Sequence, residues 1–337
     1  MYSFKRSYLA GLTAVLAVGI TACADLLDPE DPGNLVPATV EEDATLPRIR
    51  IPGTILHSEA FGDPTDPMIM VLHGGPGADY RGLLPLQALA ADGYYVVFWD
   101  QRGTGLSQRH DASVYTMDGY LEDLRLVLEH YTTVPGQPVV FIGHSWGAMY
   151  ATWFINEYGD YGGRIRGAIL SEPGAFTKEQ LDHFVEGLFG SIRFLGEEAN
   201  DAIWLYRFLS PAEHARADYM AMVSSHAITS EHNDPSKPLP TWRAGAVVNG
   251  KLLDLVDEGF DWTTHLQAYT RPVLFLRGDL NTVATLSHQQ ELASSYPDAT
   301  IETISGVGHE MIWERPADYL IHTRAYLQRI GFVGGAS

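Results

Sequence analysis

Val139-Val140-Phe141-Ile142-Gly143-His144-Ser145-Trp146-Gly147 is the stretch that decides the fold. Four consecutive apolar residues closed by a glycine turn suit a strand buried on both faces. The G-x-S-x-G that follows opens a run of helical character from Ser145 to about Tyr158. A strand turning sharply into a helix lifts one seryl oxygen clear of the backbone, and glycines beside it remove side chains that would collide. The first N–H groups of such a helix face the place where negative charge develops in acyl transfer. Ser145 is therefore the candidate nucleophile, against the plainer possibility of a serine that only caps a helix. His144 is expected to pack beside the turn rather than to move protons.

Outward from this turn the same rhythm recurs. Met68–Leu72, Tyr94–Trp99, Ile165–Leu170 and Pro272–Leu276 are further short apolar runs, and Thr300–Ile304 alternates as an edge strand does. Helix-length segments separate them: residues 81–91, then Leu121, Leu124, Val127 and Leu128 at helical spacing, and finally about 316–330. Strands alternating with helices predict an α/β chain with a mostly parallel, doubly wound sheet. The stretch 176–265 breaks the rhythm with Phe184, Leu188, Phe189, Trp204, Leu205 and Phe208 at helical spacing. It is expected to be a helical cap inserted between core residues 48–175 and 266–337, above the carboxyl ends of the strands.

Two glycine segments stand at strand ends. In His73-Gly74-Gly75-Pro76-Gly77 the glycines let backbone N–H groups approach a substrate, so Gly75 and Trp146 are the expected oxyanion donors. His73 is expected to brace that loop. His309, in Gly306-Val307-Gly308-His309-Glu310, follows the last strand and is the candidate base. His288 and His322 sit in helical patterns and are expected to pack or face solvent. The acid that orients the base has two candidates: Glu172 after the fourth of these strands and Asp279 after the fifth.

The chain of 337 residues carries a formal net charge of -20, which disfavours a nucleic-acid partner. Lys5 and Arg6 precede an apolar run from Leu9 to Ile20, the layout of a signal peptide over residues 1–22. Ile20-Thr21-Ala22-Cys23 resembles the bacterial lipobox, which implies acylation of Cys23, export to the cell envelope and membrane attachment through lipid. Residues 23–47, rich in Asp, Glu, Pro and Asn, are expected to form a flexible acidic tether.

Taken together, His73-Gly74-Gly75-Pro76-Gly77, Trp99-Asp100-Gln101-Arg102-Gly103-Thr104-Gly105-Leu106-Ser107 and Gly143-His144-Ser145-Trp146-Gly147 resemble the proline iminopeptidase-like branch of the α/β hydrolases, peptidase family S33. The resemblance spans about residues 50–330. It implies an α/β-hydrolase fold with a helical cap, release of N-terminal residues from short peptides, and no metal or organic cofactor. Two departures accompany it. Counting three positions from Gly278 to the family's aspartate reaches Asn281, so another acid must serve, and Glu172 is favoured over Asp279. No local motif transfers the cap carboxylates that hold the substrate ammonium; Glu186, Glu197, Glu198, Glu213, Glu231 and Asp234 are candidates by location. Two other functions follow from the same residues: a carboxylesterase or lipase of small esters, needing only an apolar acyl pocket, and a non-catalytic surface binding protein, suggested by Asn281.

Overall fold

A computed structural model describes residues 36–191, 214–227, 234 and 236–335. Eight strands form one sheet in the order β1-β2-β4-β3-β5-β6-β7-β8: β1 is Arg48–Ile51, β2 Thr54–Phe61, β3 Met68–Leu72, β4 Tyr95–Trp99, β5 Val139–His144, β6 Ile165–Ser171, β7 Val273–Gly278 and β8 Ala299–Ile304. From β4 to β8 every neighbouring pair is parallel. The α/β architecture expected from the alternating runs is present. Met70, Leu72, Val97 and Phe141 join one core, while Ile69, Val71, Val96 and Val140 join another. Successive residues of a strand point to opposite faces, so continuous apolar runs fill both sides of the sheet.

Among the described residues the α-helices are α1 (Met117–Tyr131), α2 (Trp146–Tyr158), α3 (Lys178–Ser191), α4 (His214–Ala227), α5 (Ala246–Asp257), α6 (Leu286–Ala293), α7 (Met311–Glu314) and α8 (Pro316–Arg329). Helices α3, α4 and α5 fall within the stretch that interrupts the strand rhythm. Its two ends are tied together: Trp262 N–H donates to Phe176 O at 2.9 Å and Lys178 N–H to Phe260 O at 3.0 Å. A bridge between Thr177 and Asp261 lies between these bonds. The chain thus leaves the core after β6 and re-enters it at one place.

Three expectations are revised. The helical crossover at 81–91 is a 3₁₀ segment, Arg81–Asp92, with Pro85 inside it; proline lacks the N–H that a regular helix needs there. The antiparallel β1–β2 hairpin at the sheet edge adds two strands to the runs read from the sequence, with Arg48-Ile49-Arg50-Ile51 alternating and Pro52-Gly53 making the turn. The described part of the acidic tether is docked: Val40 is fully buried and its N–H donates to Leu106 O at 2.8 Å.

Membrane attachment through an acylated Cys23 is a fourth correction. No helix among the described residues is long and apolar enough to cross a membrane. The apolar runs of these residues are spent on the two cores beside the sheet. The signal-like run and Cys23 themselves lie outside the described residues, and nothing in the structure supports a lipoprotein or palmitate assignment.

Candidate active site

Ser145 sits between β5 and α2 with φ 54° and ψ -120°, a conformation that a residue with a side chain rarely adopts. Surrounding contacts enforce it. Ser145 N–H donates to Ser171 O at 2.8 Å, continuing the β5–β6 ladder one step beyond its last strand pair, His144 with Ser171. A Cβ at Gly147 would collide with the Leu72 carbonyl, so α2 reaches β3 only because residue 147 is glycine. Trp146 is the first residue of α2, and the first N–H groups of a helix have no acceptor within it.

Glu172 follows β6 in the equivalent place, also at positive φ (46°), and its N–H donates to Leu276 O at 3.1 Å. Its carboxylate is fully buried. Oε1 accepts the Gly278 N–H at 2.8 Å, and Oε2 accepts the Asn281 side-chain amide at 2.6 Å. The same Oε2 lies 2.7 Å from His309 Nδ1. The structure therefore brings Glu172 to His309. Asp279 is exposed instead, with its carboxylate accepting the Gly306 N–H at 2.7 Å. The turn that carries Asp279 is thereby tied to the loop that carries His309, but the acid itself is spent on the backbone.

His309 reaches this position because the loop after β8 crosses tightly over the end of β7. A Cβ at Gly278 would strike the Val307 carbonyl, and Leu280 N–H donates to that same carbonyl at 3.1 Å. Burial opposes charging of the His309 ring, but the hydrogen bond and charge of Glu172, with Glu310 nearby, outweigh it and lift its pKa to about 9. His144 packs against the base, with ring centroids 4.5 Å apart and Nε2 2.9 Å from the His309 carbonyl. Burial, then the neighbouring His309, pushes the His144 pKa down.

The glycine loop after β3 lies directly against the serine turn. A Cβ at Gly74 would stand 3.1 Å from Ser145 Cβ. Gly75 has φ 124°, and a Cβ there would crowd Ala78 N at 2.7 Å, so its backbone path is open to glycine alone. His73 braces this loop: Nδ1 donates to Gly74 O at 2.8 Å, while Nε2 accepts the Gln101 N–H at 3.0 Å. Gln101 also donates through its amide to His73 O at 3.0 Å and accepts the Trp146 indole N–H at 3.0 Å. One side chain thus joins the glycine loop to the nucleophile helix, a role its sequence position did not suggest. Asp100 beside it is fully buried and accepts from His57 Nδ1 and the Leu106 N–H, each at 2.8 Å.

Two other histidines serve structure: His288 bonds the Gly174 carbonyl at 2.8 Å and His322 bonds Glu302 at 2.6 Å. Of the cap acids, Glu197, Glu198, Glu213 and Glu231 lie outside the described residues, as does the side chain of Glu186. Asp234 accepts the N–H and hydroxyl of Ser236 at 2.9 and 2.6 Å. Among the described residues, His144, His309 and Glu310 have ligand atoms within 4.8 Å of one another. His309 Nδ1 is already held by Glu172 and His144 Nε2 by the His309 carbonyl, so an ion there would compete with the contacts just described.

A family model described as serine aminopeptidase, S33, matches residues 63–316. A proline iminopeptidase of Saccharolobus solfataricus is 24% identical over 278 residues, spanning 78% of this chain and 85% of that protein. Among solved structures, a proline iminopeptidase-related protein from Thermus thermophilus superposes with a TM-score of 0.60 at 20% identity, covering 85% of this chain and 97% of that one. A thermophilic esterase from Thermogutta terrifontis gives 0.58 at 21% identity, covering 84% and 99%. At these identities the structural likenesses establish the fold.

Proposed function

The chain belongs to the serine aminopeptidase S33 family of α/β hydrolases, and from that premise we propose that it is a serine acyl hydrolase of small esters. The observation that carries this reading is the buried Glu172 carboxylate 2.7 Å from His309 Nδ1, beside the strained Ser145 turn. An anion at Nδ1 fixes the tautomer that leaves Nε2 free to accept a proton, and it stabilises the imidazolium that results.

In the mechanism, Ser145 Oγ attacks the ester carbonyl while its proton passes to His309 Nε2. The carbonyl oxygen becomes an oxyanion held by the Gly75 and Trp146 N–H groups. The tetrahedral centre then collapses, the C–O bond to the alcohol breaks, and His309 returns its proton to that leaving oxygen. Water, deprotonated by the same imidazole, attacks the acyl-serine, and collapse of the second tetrahedral centre releases the carboxylic acid and restores the serine.

Among the described residues of the insertion, the buried acid is already paired, which supports an ester over a peptide. A substrate ammonium needs an uncommitted carboxylate facing the pocket. Asp218, fully buried on α4, is neutralised by Arg109 and Arg243 at 2.9 and 2.7 Å. The esterase from Thermogutta terrifontis shares the core and supports the same reading. Aminopeptidase activity is the second reading, supported by His73-Gly74-Gly75-Pro76-Gly77 and by the proline iminopeptidase relative. The non-catalytic alternative loses its motive, since Glu172 supplies the anion that Asn281 lacks.

The test pairs a fluorophosphonate probe with two substrates. Labelling that disappears in Ser145→Ala, together with faster turnover of short-chain aryl esters than of proline arylamide, is the expected result. Faster arylamide turnover moves the assignment to the second reading, and absence of both labelling and turnover defeats hydrolysis altogether.

A further inference from the structure

Helix α5 begins without a cap of its own, because Gly245 has no side chain to offer. The glycine is required: a Cβ at that position would collide with the Gly103 carbonyl. The missing cap comes from another helix. Asp218 of α4 accepts the Ala246 N–H through Oδ1 at 2.9 Å, which is the contact that a capping carboxylate makes at a helix N-terminus.

The other oxygen of Asp218 takes Arg109 Nε at 2.9 Å and Arg243 Nε at 2.7 Å. Arg109 spends its remaining donors on the carbonyls of Thr104, Gly105, Ser107 and Ala244 at 3.1, 2.7, 2.7 and 3.4 Å. Arg243 reaches Glu42 at 3.0 Å and Pro37 O at 2.9 Å. Buried charges persist where they are paired and their hydrogen bonds are satisfied. Here two arginines face Asp218 and Glu42, so the cluster is balanced.

The start of α5 is fastened to the glycine loop that holds Gly75. Gly245 N–H donates to Gly77 O at 2.7 Å, and the Asn249 amide donates to the Pro76 carbonyl. A Cβ at Gly77 would stand 2.8 Å from Asn249 Cβ, so the contact is close as well as polar. Two residues further on, Asp79 accepts the Trp242 and Arg243 N–H groups at 2.6 and 3.1 Å.

We infer that Asp218 is a positioning residue for the oxyanion-binding loop, acting through the first turn of α5 and Asn249 on residues 75–77. The inference rests on the hydrolase reading above and adds to it how the helical insertion controls the chemical step. Asp218 touches no substrate. It fixes where the Gly75 N–H stands when the tetrahedral centre forms, so its loss falls on the transition state rather than on substrate binding.

The experiment compares Asp218→Asn, Asn249→Ala and the double variant in the full chain, with a short-chain aryl ester as substrate and a trifluoromethyl ketone as tetrahedral adduct former. Expected is a fall in kcat of about 10- to 100-fold in each single variant, KM within about twofold, and an equal loss of ketone affinity. The double variant should fall little below the worse single one, because both cut the same chain of contacts. Tyr326→Phe, which removes a buried bond to the Pro272 carbonyl far from the site, supplies a destabilised control with unchanged kcat. Unchanged kcat in a folded Asp218→Asn, or a rise in KM alone, overturns the inference; if Asp218→Asn does not fold, the same criteria applied to Asn249→Ala decide. Wild-type protein that neither labels nor turns over ester defeats the hydrolase reading instead, so the two failures are distinct.

Discussion

The Asn281 side-chain amide donates to Glu172 Oε2 at 2.6 Å, the same oxygen that meets His309 Nδ1 at 2.7 Å. Asn281 occupies the position where the family resemblance places an acid, and the anion comes from the neighbouring strand end. The amide is a donor that a carboxylate at 281 would not provide. Its Oδ1 also accepts the Val283 and Ala284 N–H groups, each at 2.9 Å, which fixes its orientation. Asn281→Asp would set two carboxylates side by side in a buried site, where like charges force one to keep a proton. Ester kcat is expected to fall by about 10²-fold, and Asn281→Ala, which removes a donor without adding charge, by about tenfold. A variant order in which Asn281→Asp exceeds wild type would make Asn281 the impaired residue and not the partner of Glu172.

Glu172→Gln removes the anion while keeping the shape. The expected loss of kcat is about 10⁴-fold, because an amide in that place favours the wrong imidazole tautomer. Asp279→Asn touches only an exposed backbone contact and should change kcat by less than about threefold. Steady-state kinetics of the two variants under saturating ester separate the positions; a larger loss from Asp279→Asn would reverse the assignment.

These two acids show how far the residue pattern carried. Strand runs on both faces of the sheet, the serine turn and the late histidine were legible because each depends on local composition and order. Glu172 was favoured over Asp279 only through Asn281, because both acids follow parallel strands at the same edge and differ in where their side chains turn. The docking of Val40 depends on pairing across the chain, which no local period reports. Asp218 stayed hidden for the same reason: a cap supplied to α5 from α4 leaves no mark at residue 245 beyond an ordinary glycine.

The pH dependence follows from His309. Its pKa in the folded chain, about 9, stands above the ordinary imidazole value of 6.5, so the free base grows as pH rises and kcat/KM should climb to a plateau above about pH 9. In Glu172→Gln the inflection should move toward lower pH. Stability runs the other way. The raised pKa contributes stability that is complete below about pH 6.5 and is lost as pH rises through about 9. Thermal melting of wild type should therefore decline across that window more steeply than that of Glu172→Gln. Parallel melting curves would mean that the Glu172–His309 pair contributes no linked protonation.

Ser145 is held at φ 54° by the sheet ladder and the packing of α2. Ser145→Gly releases that strain and is expected to raise stability by about 1 kcal/mol, within the range for such residues. Ser145→Ala keeps the Cβ and should gain nothing. Both abolish fluorophosphonate labelling. Denaturant midpoints for the pair read the strain directly, and equal midpoints would mean that the turn is relaxed.

Gly74 and Gly147 flank the same serine yet should fail in different ways when given a methyl group. Gly147 lies against backbone: its Cβ would meet the Leu72 carbonyl inside a sheet-and-helix contact that cannot open without moving β3 or α2. Gly147→Ala should therefore cost about 3 kcal/mol or more of folding stability. Gly74 has no positive φ to lose, and its Cβ would stand 3.1 Å from Ser145 Cβ and 3.3 Å from the His144 carbonyl. That crowding falls on the nucleophile and its immediate neighbour. Gly74→Ala should fold with a melting temperature near that of wild type, while kcat drops by about 10²-fold, as small displacements of reacting atoms do. Measuring melting and ester turnover on both variants distinguishes packing from positioning: a Gly74→Ala protein that is fully active would show that the glycine loop need not lie so close to the serine.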